Sequence, residues 1–151
     1  MPHNPALIFS NLPEHKDDNK EIAPWTELLY EDFHVAVYKD IYPVTRGHLL
    51  FVPQYNSMPI LAQAFEDAIE YGKSQVEKDN WDGFNVGLNW GTAAGQTVPW
   101  PHVHLIPRRT GDIDDPTGGV RNVIPSKGNY LKDKTLTSDL NNLYNNNLEG
   151  V

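Results

Sequence analysis

A chain of 151 residues, 39% of them apolar and 21% charged, is long enough for one hydrophobic core and too apolar to be intrinsically disordered. Its 20 acidic residues outweigh 12 basic ones, and the net charge of −8 excludes a general attraction to nucleic acid or to an anionic membrane. No cysteine is present, which excludes disulfides and thiolate metal sites, and no apolar run approaches a membrane span. A small anion would have to be held by local donors working against the global field. The opening Met-Pro-His-Asn-Pro lacks the basic-then-apolar pattern of a secretory leader, so a cytoplasmic location is the expectation.

In chain order, a short apolar start (Ala6, Leu7, Ile8, Phe9) leads into a polar segment from Leu12 to Pro24 that reads as an exposed loop. β-Branched and aromatic residues predict strands over Phe33–Tyr38 and His48–Val52, with the second closed by Pro53, which cannot extend a ladder in a sheet interior. The stretch from Asp40 to Gly47 between them is built for a loop. After Ser57 comes the clearest helix. Leu61, Phe65, Ala68, Ile69, Gly72 and Val76 recur at spacings of three and four, and the pattern ends near Asp79-Asn80. Ser57 or Asn56 is placed to cap it, with Pro59 tolerated in the first turn. Phe84–Asn89 predicts a strand, Gly91 to Gly95 a turn of small residues, and His102–Ile106 a last strand bracketed by Pro101 and Pro107. Asn141 to Asn147 reads as a frayed or partner-dependent tail. Short connections and one long helix make an α+β fold the economical arrangement, an antiparallel sheet packed against that helix.

The chemistry concentrates in Gly95-Gln96-Thr97-Val98-Pro99-Trp100-Pro101-His102-Val103-His104-Leu105-Ile106-Pro107-Arg108. Strand alternation puts His102, His104 and Ile106 on one face and Val103 and Leu105 on the other. Two imidazoles about 7 Å apart on that face could cradle one tetrahedral oxyanion. His-x-His alone fits two other readings, a pair of surface histidines or two ligands of a zinc ion. The zinc reading lacks further ligands, with no Asp or Glu in the ten residues before His102.

The order Gly-Gln-Thr-Val, a short gap, then His-Val-His-Leu-Ile-Pro-Arg resembles the histidine triad (HIT) superfamily, as does Arg46-Gly47-His48-Leu49-Leu50-Phe51-Val52-Pro53 upstream. Within it the chain resembles the fragile-histidine-triad or diadenosine polyphosphate hydrolase branch. The likeness implies one HIT-like domain over residues 1–151, with its core from about 6 to 109 and a C-terminal extension over 110–151. It implies that His102 attacks the α-phosphorus of a nucleotide and forms a nucleotidyl-histidine intermediate. The other nitrogen of that ring would stay protonated on a backbone carbonyl, and His104 would donate to a phosphate oxygen. His48 belongs to the same machinery, Gln96 and Thr97 would donate to the phosphate or leaving group, and Asn89 would contact the phosphate. Asp40 would take the ribose hydroxyls, with Ile41 beside the base. Each has a plainer reading as well: turn chemistry for Gln96 and Thr97, a strand-end cap for Asn89, a turn-starting aspartate for Asp40.

Trp100 stands where the family's first histidine would be. Leu7 and Ser10 stand where some HIT proteins carry two zinc-binding cysteines, so of that ligand set His48 alone remains and no metal is expected. Trp100 is expected to fill the space of the missing imidazole and support His48. No cofactor is implied, and the partners implied are a small-molecule nucleotide and a second copy of the chain, in a homodimer through the helix and an adjoining strand. Where other branches have glutamine, His104 favours hydrolysis over transfer to a phosphate acceptor. Dinucleoside polyphosphate hydrolysis leads. Nucleoside phosphoramidate cleavage is the enzymatic alternative, and a nucleotide-binding protein of faded catalysis is the alternative from another class. Arg121 has two readings, reaching a second phosphate or base or, more commonly, a solvated loop arginine, while Arg108 and Arg109 read as solvated or structural.

Overall fold

Five runs pair as antiparallel strands (β1 Leu28–Glu31, β2 Val35–Lys39, β3 Leu49–Pro53, β4 Gly83–Leu88, β5 Val103–Arg108), of which β2 and β3 are buried on both faces and β5 alternates in burial. They form a five-stranded sheet in the order β1-β2-β3-β5-β4, and the 20-residue helix α1 (Met58–Glu77) carries the chain from β3 to β4, passing β5. The computed structural model describes residues 7–132 and 141–146. The chain divides into two compact units, Met1–Arg109 and Thr110–Val151.

In the first unit, alternation along the strands sorts the core into two layers. Val35, Val37, Leu49, Phe51, Val103 and Leu105 meet Leu61, Ala64 and Ala68 of α1. The opposite face carries Ala36, Tyr38, Leu50 and Val52, packed with Leu12, Ala23 and Trp100. The segment read as an exposed loop, Leu12 to Pro24, therefore packs Leu12, Ile22 and Ala23 onto the second face. Its Lys16 is buried, donating from Nζ to Tyr38 Oη and to Asp17 Oδ1, each at 2.8 Å. A charged residue gave no sign of burial in the sequence because the partners that satisfy it lie elsewhere in the fold.

The remaining differences are local. β1 was not foreseen: its four residues are all exposed on an edge strand, so no face alternates. β2 begins at Val35 instead of Phe33, because Asp32 Oδ1 accepts from the N–H groups of His34 and Val35 and makes the hairpin turn there. Pro53 lies inside β3, opposite Val35. The N–H of Gln54 goes to His34, so the ring nitrogen of Pro53 faces the other side, where pairing with β5 has ended at Phe51. Pro107 likewise sits within β5, beyond the last pair with β3. In α1, Ile69 is turned largely to solvent, while Gly72 is buried so tightly that a Cβ there would lie 2.8 Å from the Phe84 ring. Ser57 caps α1 by its extended backbone without a side-chain hydrogen bond, and Asp79, with φ of 58°, ends the run.

Among the described residues of the second unit, 3-10 turns run over Gly119–Val123, Pro125–Lys127 and Tyr130–Lys132. Arg121 folds back to donate to the carbonyls of Gly128 and Lys127 at 3.1 and 3.0 Å, a structural use. Residues 141–146 are α-helical and exposed where the sequence suggested a frayed tail; Asn147 and Ala6 lie outside the described residues. Among the described residues no helix is long and apolar enough to cross a membrane.

Candidate functional site

The sheet face away from α1 presents its polar side chains in rows fixed by strand register. Tyr38, Leu50, His104 and Gly87 lie opposite one another across four strands. One step along, Asp40 donates its N–H to the carbonyl of His48, and Ile106 pairs with Asn85. One step the other way, just before β5, His102 follows Pro99-Trp100-Pro101, which bends at Pro99 and Trp100 where an extended run was expected. These rows bring Asp40, His48, His102 and His104 together from three separate stretches of chain.

Hydrogen bonds settle which nitrogen carries each proton. The Nδ1 of His102 lies 2.8 Å from the carbonyl of Trp100, which can only accept, so Nδ1 is protonated and Nε2 holds the free lone pair. The N–H of Val44 donates to His48 Nδ1 at 3.1 Å, so the proton of the neutral His48 ring sits on Nε2. That proton faces His104 Nδ1 at 2.9 Å, with Asp40 Oδ2 at 3.4 Å. His104 in turn keeps its proton on Nε2, a buried donor without a hydrogen-bond partner among the described residues. An orphaned buried donor costs about 1–3 kcal/mol, a cost that a bound acceptor would remove. One imidazole thus offers a lone pair and its neighbour a proton, with ring centroids 5.0 Å apart.

Burial keeps all three rings neutral. It pushes His102 below the ordinary imidazole range, against the opposing pull of the Trp100 carbonyl and Asp40. His48 is lowered in the same way, chiefly by burial and against Asp40. His104, buried and beside two other imidazoles, falls to about 4. A nucleophilic imidazole must be neutral at neutral pH, and this environment makes it so.

The pocket above these rings, of about 430 Å³, is lined by all eight residues singled out in the sequence: Asp40, Ile41, His48, Asn89, Gln96, Thr97, His102 and His104. The amide of Gln96 is already engaged, accepting from the N–H of Gly91 at 2.8 Å and donating to the carbonyls of Val98 and Pro99 at 3.1 Å. It staples the loop, the turn chemistry that was its plainer reading; Thr97 and Val98 line the pocket, and their N–H groups have no hydrogen-bond partner among the described residues. Asp40 Oδ1 accepts the N–H of Tyr42 at 2.8 Å, so Asp40 does begin a turn, while its Oδ2 faces the imidazoles. Trp100 is fully buried, and its indole donates to the carbonyl of Pro53 at 2.9 Å, at the end of β3 far from His48. Its support therefore reaches His102 through the backbone, where packing against His48 was expected.

Sequence reasoning missed Trp25, Tyr42 and Val44 as lining residues. Tyr42 and Val44 were within reach, since they follow Asp40 in the same loop. Trp25 gave no signal: it comes from the covering segment and meets His102 edge to face at 5.3 Å. Arg109 is structural, bonded to Thr45 Oγ1 and the carbonyl of Arg46. A larger hollow of about 540 Å³ on the helix face, lined by Leu29, Tyr30, Asp67 and Tyr71 among others, contains no imidazole.

Asp40, His48 and His104 bring ligand atoms within 4.8 Å of one another, close enough for a divalent ion. The hydrogen bonding does not suit one. A metal on His48 Nε2 would shift that ring's proton to Nδ1, against the N–H of Val44.

Comparison with known proteins agrees with this arrangement. The chain is 36% identical over 92 residues to an uncharacterized HIT-like protein of Methanocaldococcus jannaschii, spanning 57% of this chain and 71% of that one. It is 33% identical over 119 residues to an AP-4-A phosphorylase of Mycobacterium tuberculosis, 74% of this chain but 58% of the relative. A zinc-bound histidine triad family protein from Mycobacterium smegmatis superposes with a TM-score of 0.52 at 33% identity, over 56% of this chain and 67% of that chain. The HIT domain family profile matches residues 23–111, more than half of the chain and all of the imidazole cluster, and the chain belongs to the HIT family.

Proposed function

We propose that the chain transfers a nucleotidyl group through His102, cleaving dinucleoside polyphosphates at the α-phosphate with water as the final acceptor. One observation carries the reading: the Trp100 carbonyl fixes the His102 proton on Nδ1, leaving an Nε2 lone pair beside the Nε2–H of His104, which has no partner among the described residues. In the first step that lone pair forms a P–N bond while the P–O bond to the leaving phosphate breaks and the leaving oxygen takes the electron pair. The resulting imidazolium is stabilised through Nδ1–H on the Trp100 carbonyl. Water then attacks the same phosphorus, the P–N bond breaks with its electrons returning to Nε2, and the water's proton passes to solvent.

In this reading His104 donates to a non-bridging oxygen, joined by the N–H groups of Thr97 and Val98 and by the amide of Asn89. His48 is a positioning residue that sets the His104 tautomer, and Gln96 positions the donor loop. Asp40, Ile41, Tyr42 and Val44 form the nucleoside end. Trp100, in the place of the family's first histidine, acts through its carbonyl. Residues 6–109 form the catalytic core, with 110–151 an extension to it. The named activity of the mycobacterial relative supports the substrate class. A homodimer is part of the proposal, supported by the exposed Ile69 and Tyr71 on α1. Sedimentation equilibrium at the monomer mass would refute it.

The test is AMP release from diadenosine tetraphosphate and adenosine phosphoramidate, with and without inorganic phosphate, by wild type and His102→Ala. AMP from the tetraphosphate, lost in the variant, supports the reading. ADP formed with phosphate would make phosphate the acceptor, and release from the phosphoramidate alone would make the chain a phosphoramidase. Nucleotide binding with no turnover would leave a binding protein.

A further inference from the structure

We propose that the gap over Gly87 is the exit for the leaving group, and that it fits this site to large polyphosphate leaving groups; this rests on the nucleophilic reading of His102. Phe84, Val86 and Leu88 of β4 pack into the core beneath α1, so Gly83, Asn85 and Gly87 face the imidazoles. Gly87 is in register with His104 on an edge strand, where a side chain would place its Cβ about 5 Å from that of His104. Yet a Cβ built there meets no atom within 4 Å. Inward along the same row, His104 is walled by the buried Leu50 and Tyr38. A phosphate held by His102 and His104 is therefore closed in toward β3 and β2, and open across β4.

The nucleoside end, beside Asp40 and His48, lies on the closed side, so the two halves of a dinucleotide would run in opposite directions from the imidazoles. Asn89 and Asn85 flank the gap along β4, and the Asn85 side chain holds the Arg108 guanidinium at 2.7 Å. Arg108 shares the His104 face of β5, placing a cation beside the path of a departing anion. Ammonia leaving from a phosphoramidate needs no such opening. A phosphate chain bearing a second nucleoside does.

The Gly87 backbone lies outside the left-handed region, so alanine or valine can be placed without backbone strain. The experiment measures kcat/KM for diadenosine tetraphosphate and adenosine phosphoramidate, and the Kd for AMP, in wild type, Gly87→Ala and Gly87→Val. The two substrates share nucleoside and nucleophile and differ in what leaves. Valine is expected to lower kcat/KM for the tetraphosphate by about tenfold or more, leaving the phosphoramidate and AMP values within about twofold. Alanine is expected to act in the same direction with a smaller loss, and serves as the test if the valine variant fails to fold. Equal losses on both substrates, no loss on either, or a wild type that cleaves only the phosphoramidate would overturn the proposal. A wild type that binds AMP but cleaves neither substrate would overturn the nucleophilic reading as well, and that failure appears before any substitution at Gly87.

Discussion

The two faces of one sheet are held by different means. Against α1 the sheet's core is apolar, with Val35, Val103 and Leu105 almost wholly buried and no ionisable side chain in the cluster. On the other face, an irregular segment packs over part of the sheet, while Asp40, His48, His102 and His104 stand around a pocket. The helix face derives its order from non-directional burial, so its residues are exchangeable within volume limits. The imidazole face depends on directed hydrogen bonds, where each ring's proton is fixed by the next partner. Damage to the first should cost stability, and damage to the second should cost chemistry.

The sharpest test of that division is His102→Ala. Turnover should fall by at least about 10³-fold, with the thermal midpoint little changed, as measured by AMP release and calorimetry. A parallel loss of stability would mean the nucleophile also holds the fold together. His48→Ala comes next. Without its Nε2–H, His104 is free to adopt the other tautomer, and kcat should fall by about 10²-fold with a smaller change in KM. His48→Asn, whose amide can offer a donor, should recover part of the loss. A variant that changed only KM would remove His48 from the relay.

On the helix face, Gly72→Ala should lower stability by about 1–3 kcal/mol through the Phe84 ring, despite the helix propensity that alanine brings. Its kcat should stay near wild type. A stabilised variant would show that the ring yields at little cost.

The gentlest probe is pH. The three imidazoles have folded pKa values below the ordinary 6.5, so as the pH falls the unfolded chain takes up protons first. Stability should be full above about pH 6.5 and decline as the pH drops toward about 4, where His104 titrates in the fold. Turnover should fall in the same direction, since a protonated His102 has no lone pair to offer. A melting temperature that rose between pH 7 and 5 would contradict the buried, neutral state of these rings.

What is legible in the chain alone follows the same division. Spacings of three and four mark α1 almost to its ends, and the alternation around His102 separates the His104 face from the Val103 face. Both signals are periodic, and periodicity survives in one dimension. β1 is invisible there because an edge strand exposed on every residue has no pattern to show. Lys16 is misplaced because the phenol and carboxylate that make its burial tolerable are brought to it only by folding.

By itself the sequence determined the fold class, the long helix and the shared face of His102 and His104, because hydrophobic period is a local property, while the other pocket residues named in advance came from the resemblance of two segments to a known family. Only the tertiary structure decided what each of those residues is free to do. Gln96 has its amide occupied by its own loop, Trp100 acts through a carbonyl instead of a ring, and Val44, which carries no reactive group, sets the His48 tautomer with its N–H. The physical reason is that a proton's position is fixed by its partner, and partners are assigned by the fold.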